Sequence, residues 1–316
     1  MFDPGEVRAA IAAHGPVARV VIAGHDGSSP REAGAAMLVW DGGQSGTIGG
    51  GALEFQAVAR ARDMLAAGGV AVQRVALGPN IGQCCGGAVT LVCEVYDAAK
   101  LPDPKAGLVA RALDGSEAPL SVARMIDRAR AQGSRPGTAL LQGWLVEPLA
   151  RPERALWIWG AGHVGRALVS VLAPLPDLAI NWVDVAPERF PETVPAGVRV
   201  LPAPDMAAAV ALAPSDAEHL VLTFSHALDL ELCHRLLPHG FAACGLIGSA
   251  TKWARFRSRL HALGHSPELI ATILCPIGNP ALGKHPQAIA ISVAAEILGR
   301  SAARARTART LKEHIG

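Results

Sequence analysis

Charge of one sign is what this chain most clearly lacks: 29 Lys and Arg stand against 27 Asp and Glu, and the net +2 offers no field to recruit nucleic acid or an acidic membrane. Long apolar runs are missing too. Pro174 and Pro176 interrupt the best candidate before it reaches the roughly 18 residues of a membrane helix. The amino end, Met1 to Gly15, carries Asp3 and Glu6 in place of a basic segment followed by an apolar one, so it reads as no secretory signal. No CxxC pair recurs, which argues against a zinc ribbon, and six cysteines at positions 84, 85, 93, 233, 244 and 275 do not make a small secreted framework. Together these absences predict a cytoplasmic protein with small-molecule or protein partners, bound to neither membrane nor nucleic acid. Arg300, Arg304, Arg306, Arg309 and Lys312 are interleaved with alanines at helical spacing and read as a solvated helix face.

What is present suggests two modules. β-branched runs predict strands at Val17–Ala23, Ala35–Trp40, Val70–Leu77 and Ala88–Tyr96, with a helix from Ala52 to Ala67 opened by Gly49-Gly50-Gly51. Residues 1–100 are therefore expected to form an α+β domain. A connecting segment, 101–152, is punctuated by Pro102, Pro104, Pro136 and Pro152; its expected strands, around Leu120–Met125 and Thr138–Val146, would extend the first sheet. From residue 153 to 316 strands and helices alternate: Ala155–Trp159, a helix at Val164–Leu172, then strands at Leu178–Val183, Val198–Pro202, His219–Phe224 and Ala242–Ile247. That rhythm predicts a Rossmann-like, doubly wound parallel sheet, so the chain as a whole reads as α/β.

Four groups of residues carry chemistry. Gly160-Ala161-Gly162-His163-Val164-Gly165 fits G-x-G-x-x-G between a predicted strand and helix, so Gly160, Gly162 and Gly165 are candidate dinucleotide contacts. Asp184, about 20 residues on, stands where a carboxylate accepts ribose hydroxyls and favours NAD over NADP, although Arg189 leaves a 2′-phosphate open. The alternative is a Rossmann shell whose glycines merely let helix and strand pack. His226, at the end of a predicted strand, is the best-placed acid or base near a cofactor; a capping or surface histidine is the plainer reading. Gly49, Gly50 and Gly51 open a helix whose N–H groups would hold an anion, unless they simply cap it with Glu54. Finally, Gln83-Cys84-Cys85 lies between Gly82 and Gly86-Gly87. Neighbouring α-carbons about 3.8 Å apart are too close for the usual disulfide, so the pair is open to metal or sulfur binding, redox exchange or nucleophilic attack. Cys93, Cys233, Cys244 and Cys275 read as small core residues.

In their joint order these segments resemble the XdhC/CoxI family, accessory proteins that mature xanthine dehydrogenase and related molybdenum hydroxylases. The resemblance is carried by Gly27-Ser28-Ser29-Pro30-Arg31-Glu32-Ala33-Gly34, Gly46-Thr47-Ile48-Gly49-Gly50-Gly51-Ala52-Leu53-Glu54, the Gly78 to Gly87 cysteine loop and Gly160 to Gly165. Gly248-Ser249 with Lys252, Phe256 and Arg259, and Cys275-Pro276-Ile277-Gly278 followed by Pro286 to Leu298, complete it. It implies a chaperone without turnover that binds the molybdenum cofactor, holds it during sulfuration and delivers it to the apo-hydroxylase. Cys84 or Cys85 would touch the molybdenum or its sulfido ligand, with Gln83 orienting the loop. The implied partners are apo xanthine dehydrogenase, a cysteine desulfurase, the molybdopterin-synthesis proteins and a second copy of the chain. An NAD(P)-dependent oxidoreductase using His226, and a redox-sensing thiol protein, remain the competing readings.

Overall fold

The computed structural model describes residues 1–78, 86–99, 101–105, 107–133, 135–150, 152 and 154–315, with side chains omitted for 301–315. The chain folds into two compact units, Met1–Arg151 and Pro152–Gly316.

The first unit opens with α1 (Pro4–His14), which has a full set of start and stop signals. Asp3 caps it by accepting from the N–H groups of Gly5 and Glu6, Pro4 stands at the first helical position, and Gly15 closes it at a φ of 78°. A five-stranded antiparallel sheet follows, built from β1 (Val17–Asp26), β2 (Ala36–Trp40), β3 (Gly43–Gly46), β4 (Val70–Ala76) and β5 (Ala88–Tyr96) in the order β3-β2-β1-β5-β4. Along β1 the side chains alternate between two interiors. Ala18, Val20 and Ile22 pack toward α2 (Gly51–Ala67) and its Leu53, Ala57, Val58 and Ala61, while Val17, Val21 and Ala23 face the opposite layer.

That opposite layer corrects two expectations. Leu120–Met125 is not a strand but the start of helix α3 (Leu120–Gln132), because Val122, Met125, Ile126 and Ala129 repeat at helical spacing and pack together. Thr138–Val146 forms the hairpin β7 (Ala139–Leu141) and β8 (Trp144–Pro148), which does not extend the first sheet but pairs with β6 (Leu108–Ala112) in a separate sheet ordered β6-β8-β7.

The second unit is a six-stranded parallel sheet of β9 (Arg154–Trp159), β10 (Leu178–Asp184), β11 (Arg199–Pro202), β12 (Glu218–Val221), β13 (Ala243–Leu246) and β14 (Ile273–Leu274). Its order, β11-β10-β9-β12-β13-β14, is the 3-2-1-4-5-6 winding of a Rossmann domain, with the switch point between β9 and β12. Central β9 is buried on both faces. Leu156 and Ile158 join α4 (His163–Leu172) and α9 (Pro286–Ile315), while Trp157 and Trp159 join the cluster containing α5 (Met206–Ala209), α6 (His226–His239) and α7 (Ala250–Ala262). Fully buried Leu156, Ile158, Leu168 and Leu172 each contribute about 1.5–3 kcal/mol of apolar transfer. The short α8 (Pro267–Ile270) leads into β14. Among the described residues, no helix is long and apolar enough to cross a membrane.

Candidate functional site

Three of the glycine-bearing motifs converge in the first unit. A Cβ on Gly49 would lie 2.5 Å from Pro30 Cβ, one on Gly27 would lie 3.3 Å from the α-carbon of Gly87, and one on Gly87 would overlap the Ser28 carbonyl. The turn after β1, the entry to α2 and the entry to β5 are thus packed closely against one another. Leu77 N–H also donates to Gly87 C=O at 2.7 Å, so the chain is tied together on either side of residues 79–85. Gln83, Cys84 and Cys85 themselves lie outside the described residues. A Cβ on Gly86 or Gly50 would meet nothing within 4 Å, so both face open space in this cluster.

The Gly49-Gly50-Gly51 turn already holds an anion of its own. Glu54 accepts from the N–H groups of Ile48 (2.9 Å) and Gly50 (3.1 Å), from Gln44 Nε2 (3.1 Å) and from the Thr47 hydroxyl, while Gly49 N–H goes to Thr47 Oγ1 at 3.0 Å. Burial alone would raise the Glu54 pKa, but these donors lower it. An external phosphate at this turn would have to displace a carboxylate.

The same substitution recurs in the second unit. Gly160, at a φ of 127°, brings its backbone against Leu222 and Thr223 after β12, and a Cβ on Gly165 would overlap the Gly160 carbonyl, so Gly160 seats the turn against the end of β12 and Gly165 lets α4 close on that turn. Gly162 is different: a Cβ there would meet nothing within 4 Å, and no side chain caps α4. Asp184, at the end of β10, is 0% exposed. Its carboxylate accepts from Ala161 N–H at 2.6 Å, Val185 N–H at 2.7 Å and Arg189 Nε at 3.3 Å. It is therefore used inside the protein and does not face outward as a ribose acceptor would. Arg189, which follows β10, also lies over the Phe224 ring, 5.0 Å from its centroid, and Phe224 follows β12. Since β10 and β12 flank β9, this contact spans the carboxyl end of β9, where the glycine turn emerges.

His226 is the first residue of α6, exposed, and without a hydrogen-bond partner among the described residues. It is not brought to Asp184 by any described contact. The preceding Ser225 caps the helix through Leu228 N–H. A more tightly built group nearby is absent from the sequence-based candidates: Asp229 (1% exposed) accepts from Thr223 N–H at 2.8 Å and from Lys252 Nζ at 2.6 Å, and Lys252 also donates to Ile247 C=O at 3.0 Å. Its signal is an acid one turn inside a helix that follows a buried strand.

Each described cysteine is a free thiol. Burial pushes Cys93 up to about 11 and Cys244 up to about 12, and raises Cys233 as well. Cys275 is pushed up to about 11 by burial against the opposing pull of Lys252. Such thiols are protonated at neutral pH and are poor nucleophiles and ligands. No group of three or more His, Cys, Asp or Glu among the described residues could hold a metal ion.

The architecture defines a class: an antiparallel α+β unit followed by a Rossmann unit whose glycine turn is liganded from within. Family models match both parts, the XdhC and CoxI family over residues 10–76 and the XdhC Rossmann domain over residues 156–297, and the chain belongs to the XdhC/CoxI family. It is 28% identical over 292 residues to the uncharacterized protein YqeB of Escherichia coli, covering 90% of this chain. The chain spans 43% of that relative's length. A crystal structure described as a xanthine dehydrogenase from Bacillus halodurans shares the fold at a TM-score of 0.69 and 20% identity, covering 95% of both chains.

Proposed function

We propose that this protein is a maturation factor that binds the molybdenum cofactor as cargo, holds it while a cysteine desulfurase installs the terminal sulfido ligand, and delivers it to apo xanthine dehydrogenase or a related hydroxylase. The observation that carries this reading is the convergence of the Gly27–Gly34 turn, the Thr47–Gly51 turn and Gly86-Gly87 in a unit matched by the XdhC and CoxI family model. That cluster anchors both flanks of the only segment with adjacent cysteines. Cys84 or Cys85 supplies a soft thiolate for the molybdenum or its sulfido ligand, a match of donor chemistry to metal, and Gln83 orients the loop. The described cysteines, held as thiols by burial, leave that role to this pair. Delivery requires direct contact with the hydroxylase and the sulfur donor, loading requires the molybdopterin-synthesis proteins, and the carrier acts as a homodimer in the cytoplasm.

The competing reading is an NAD(P)-dependent oxidoreductase. Its support is the winding order of the second unit; against it stand the commitment of Asp184 and Ala161 N–H to each other and a His226 with no hydrogen-bond partner among the described residues. Molybdenum and pterin are to be measured in protein purified without oxygen, as wild type and as separate Cys84→Ala and Cys85→Ala variants. Stoichiometric pterin that is lost in one variant supports the carrier. Equal pterin in all three eliminates the thiolate role, and nicotinamide turnover with a substrate would favour the oxidoreductase.

A further inference from the structure

Two motifs of the second unit take no part in the carrier reading: Gly248-Ser249 with Lys252, and Cys275-Pro276-Ile277-Gly278. Both run to the same place. A cleft of about 540 Å³ at the carboxyl edge of β13 and β14 is lined by Gly248 and Ser249 from the first motif and Pro276 and Ile277 from the second. That volume lies within the range of small-ligand sites, roughly 300–1,000 Å³.

Its walls are fixed before any ligand arrives. Ile277 N–H donates to Leu246 C=O at 3.2 Å, and Gly278 N–H to Glu296 Oε2 at 2.9 Å. Asn279 N–H bonds Ser292 Oγ on α9, and the Lys252–Asp229 pair ties the start of α7 to the ends of β12 and β13. Gly245 is required for the fit, because a Cβ there would overlap the Ile277 side chain.

The lining has one electrostatic sign. No acidic residue borders the cleft, Lys284 does, and Lys284 has no ion-pair partner among the described residues. The first turn of α7 adds backbone donors: Ser249 Oγ takes only the Lys252 N–H, at 3.2 Å, so the N–H groups of Ala250 and Thr251 are not satisfied by that cap. Ile277 and Ile289 give the cleft an apolar body. Nucleotides bind along this carboxyl edge in doubly wound sheets, yet the glycine turn after β9 is occupied by Asp184, which removes one anchor for a pyrophosphate.

We propose that this cleft binds a compact heteroaromatic monophosphate of mononucleotide size, its ring against Ile277 and Ile289 and its phosphate met by Lys284 and the N–H groups that open α7. The site is independent of the cysteine pair. Titration calorimetry on the full chain with AMP, adenosine and inorganic phosphate tests it. AMP should bind, and adenosine and phosphate alone should each bind at least about tenfold more weakly, since each lacks half of the recognised chemistry. Lys284→Ala should weaken AMP about tenfold, the scale of one charge-assisted contact, and Ala250→Trp, at an exposed lining position, should abolish it without changing the circular dichroism. Cys84→Ala should bind AMP as wild type does, even if it fails to retain pterin, which separates this site from the carrier reading. No AMP binding up to millimolar concentration, phosphate binding as tight as AMP, or equal AMP affinity in wild type, Lys284→Ala and Ala250→Trp would each overturn the proposal.

Discussion

The two units bury charge for different ends. In the first, Arg19 (3% exposed) on β1 grips Glu147 (0% exposed) on β8 through two bonds of 2.8 and 3.0 Å, and Arg111 on β6 bridges Glu147 at 2.7 Å and Glu94 on β5. Four charges thereby join one sheet to the other, with Tyr96 Oη donating to Glu94 at 3.0 Å and the Phe2 ring under both guanidiniums. In the second, the buried acids Asp184 and Asp229 join strand ends and helix starts at the carboxyl edge of one sheet, while at its opposite edge Arg154 on β9 pairs with buried Glu218 on β12 at 2.7 Å. Ionic contacts join two sheets in the first unit and fix the two edges of one sheet in the second. Damage to them should therefore register as a larger loss of stability in the first unit than in the second.

The largest expected effect is that of Glu147→Gln. It strands Arg19 and half of Arg111 without a buried counter-charge, and should cost about 3–5 kcal/mol, seen as lost hydrogen-exchange protection throughout Met1–Arg151. A double replacement, Arg19→Met with Glu147→Leu, should recover most of that loss; failure to recover would mean the charges specify the packing and do not merely compensate one another. Next comes Gly165→Ala. Its methyl group would overlap a backbone carbonyl that cannot yield, at a cost of about 1–3 kcal/mol, with protection lost in β9 and α4 and retained in the first unit.

Asp184→Ala leaves Ala161 N–H buried without an acceptor and should cost about 1–3 kcal/mol. Its more telling readout is the backbone amide shift of Ala161 by NMR: a resonance unmoved from wild type would exclude the Asp184 bond. Acid sharpens the contrast by order of loss. Although burial alone would raise it, Arg19 and Arg111 hold the Glu147 carboxyl down to about 2 from 4.5, so its contribution is complete above pH 4.5 and is lost as pH falls toward 2. His219 on β12 accepts from Trp159 Nε1 at 3.1 Å and is kept neutral, burial lowering its pKa from 6.5 to about 3. Its contribution is complete above pH 6.5 and is lost as pH falls toward 3. Exchange protection should weaken in the second unit first on acidification, and the reverse order would contradict this assignment. The smallest effect is reserved for Arg74→Ala, which breaks an exposed 2.7 Å pair with Asp26 and should change stability by less than about 0.5 kcal/mol.

Much of this architecture is legible in the amino acids, and the gaps have causes. The doubly covered strand β9 announces itself as an unbroken apolar run, and Gly160 to Gly165 marks the turn that follows. α3 does not, since Leu120 and Val122 alternate like a strand and the helical spacing emerges only when Ile126 and Ala129 are included. β3 consists of Gly43-Gln44-Ser45-Gly46 and has no side-chain preference for extended backbone; its pairing with β2 makes it a strand. α1 is signalled by Asp3-Pro4 and Gly15, and is passed over when that segment is weighed only as a leader. At the site, the glycines signal close approach but not what approaches. Nothing in the residue pattern says that Glu54 and Asp184 fold back onto the very turns whose N–H groups invite an anion. Charges inside apolar runs, such as Arg19, Glu94 and Glu147, are the readable hint of a buried network.

The Asp184–Ala161 bond has a consequence for how this protein is kept in the cell. A Rossmann turn that depends on nucleotide for its negative charge gains stability by mass action, in proportion to the logarithm of free ligand over its dissociation constant. Here that charge is covalently attached, so its local concentration is fixed by the chain. At this N–H the turn draws no support from metabolite levels and needs none. A turn built this way keeps its shape at high and low nucleotide levels alike.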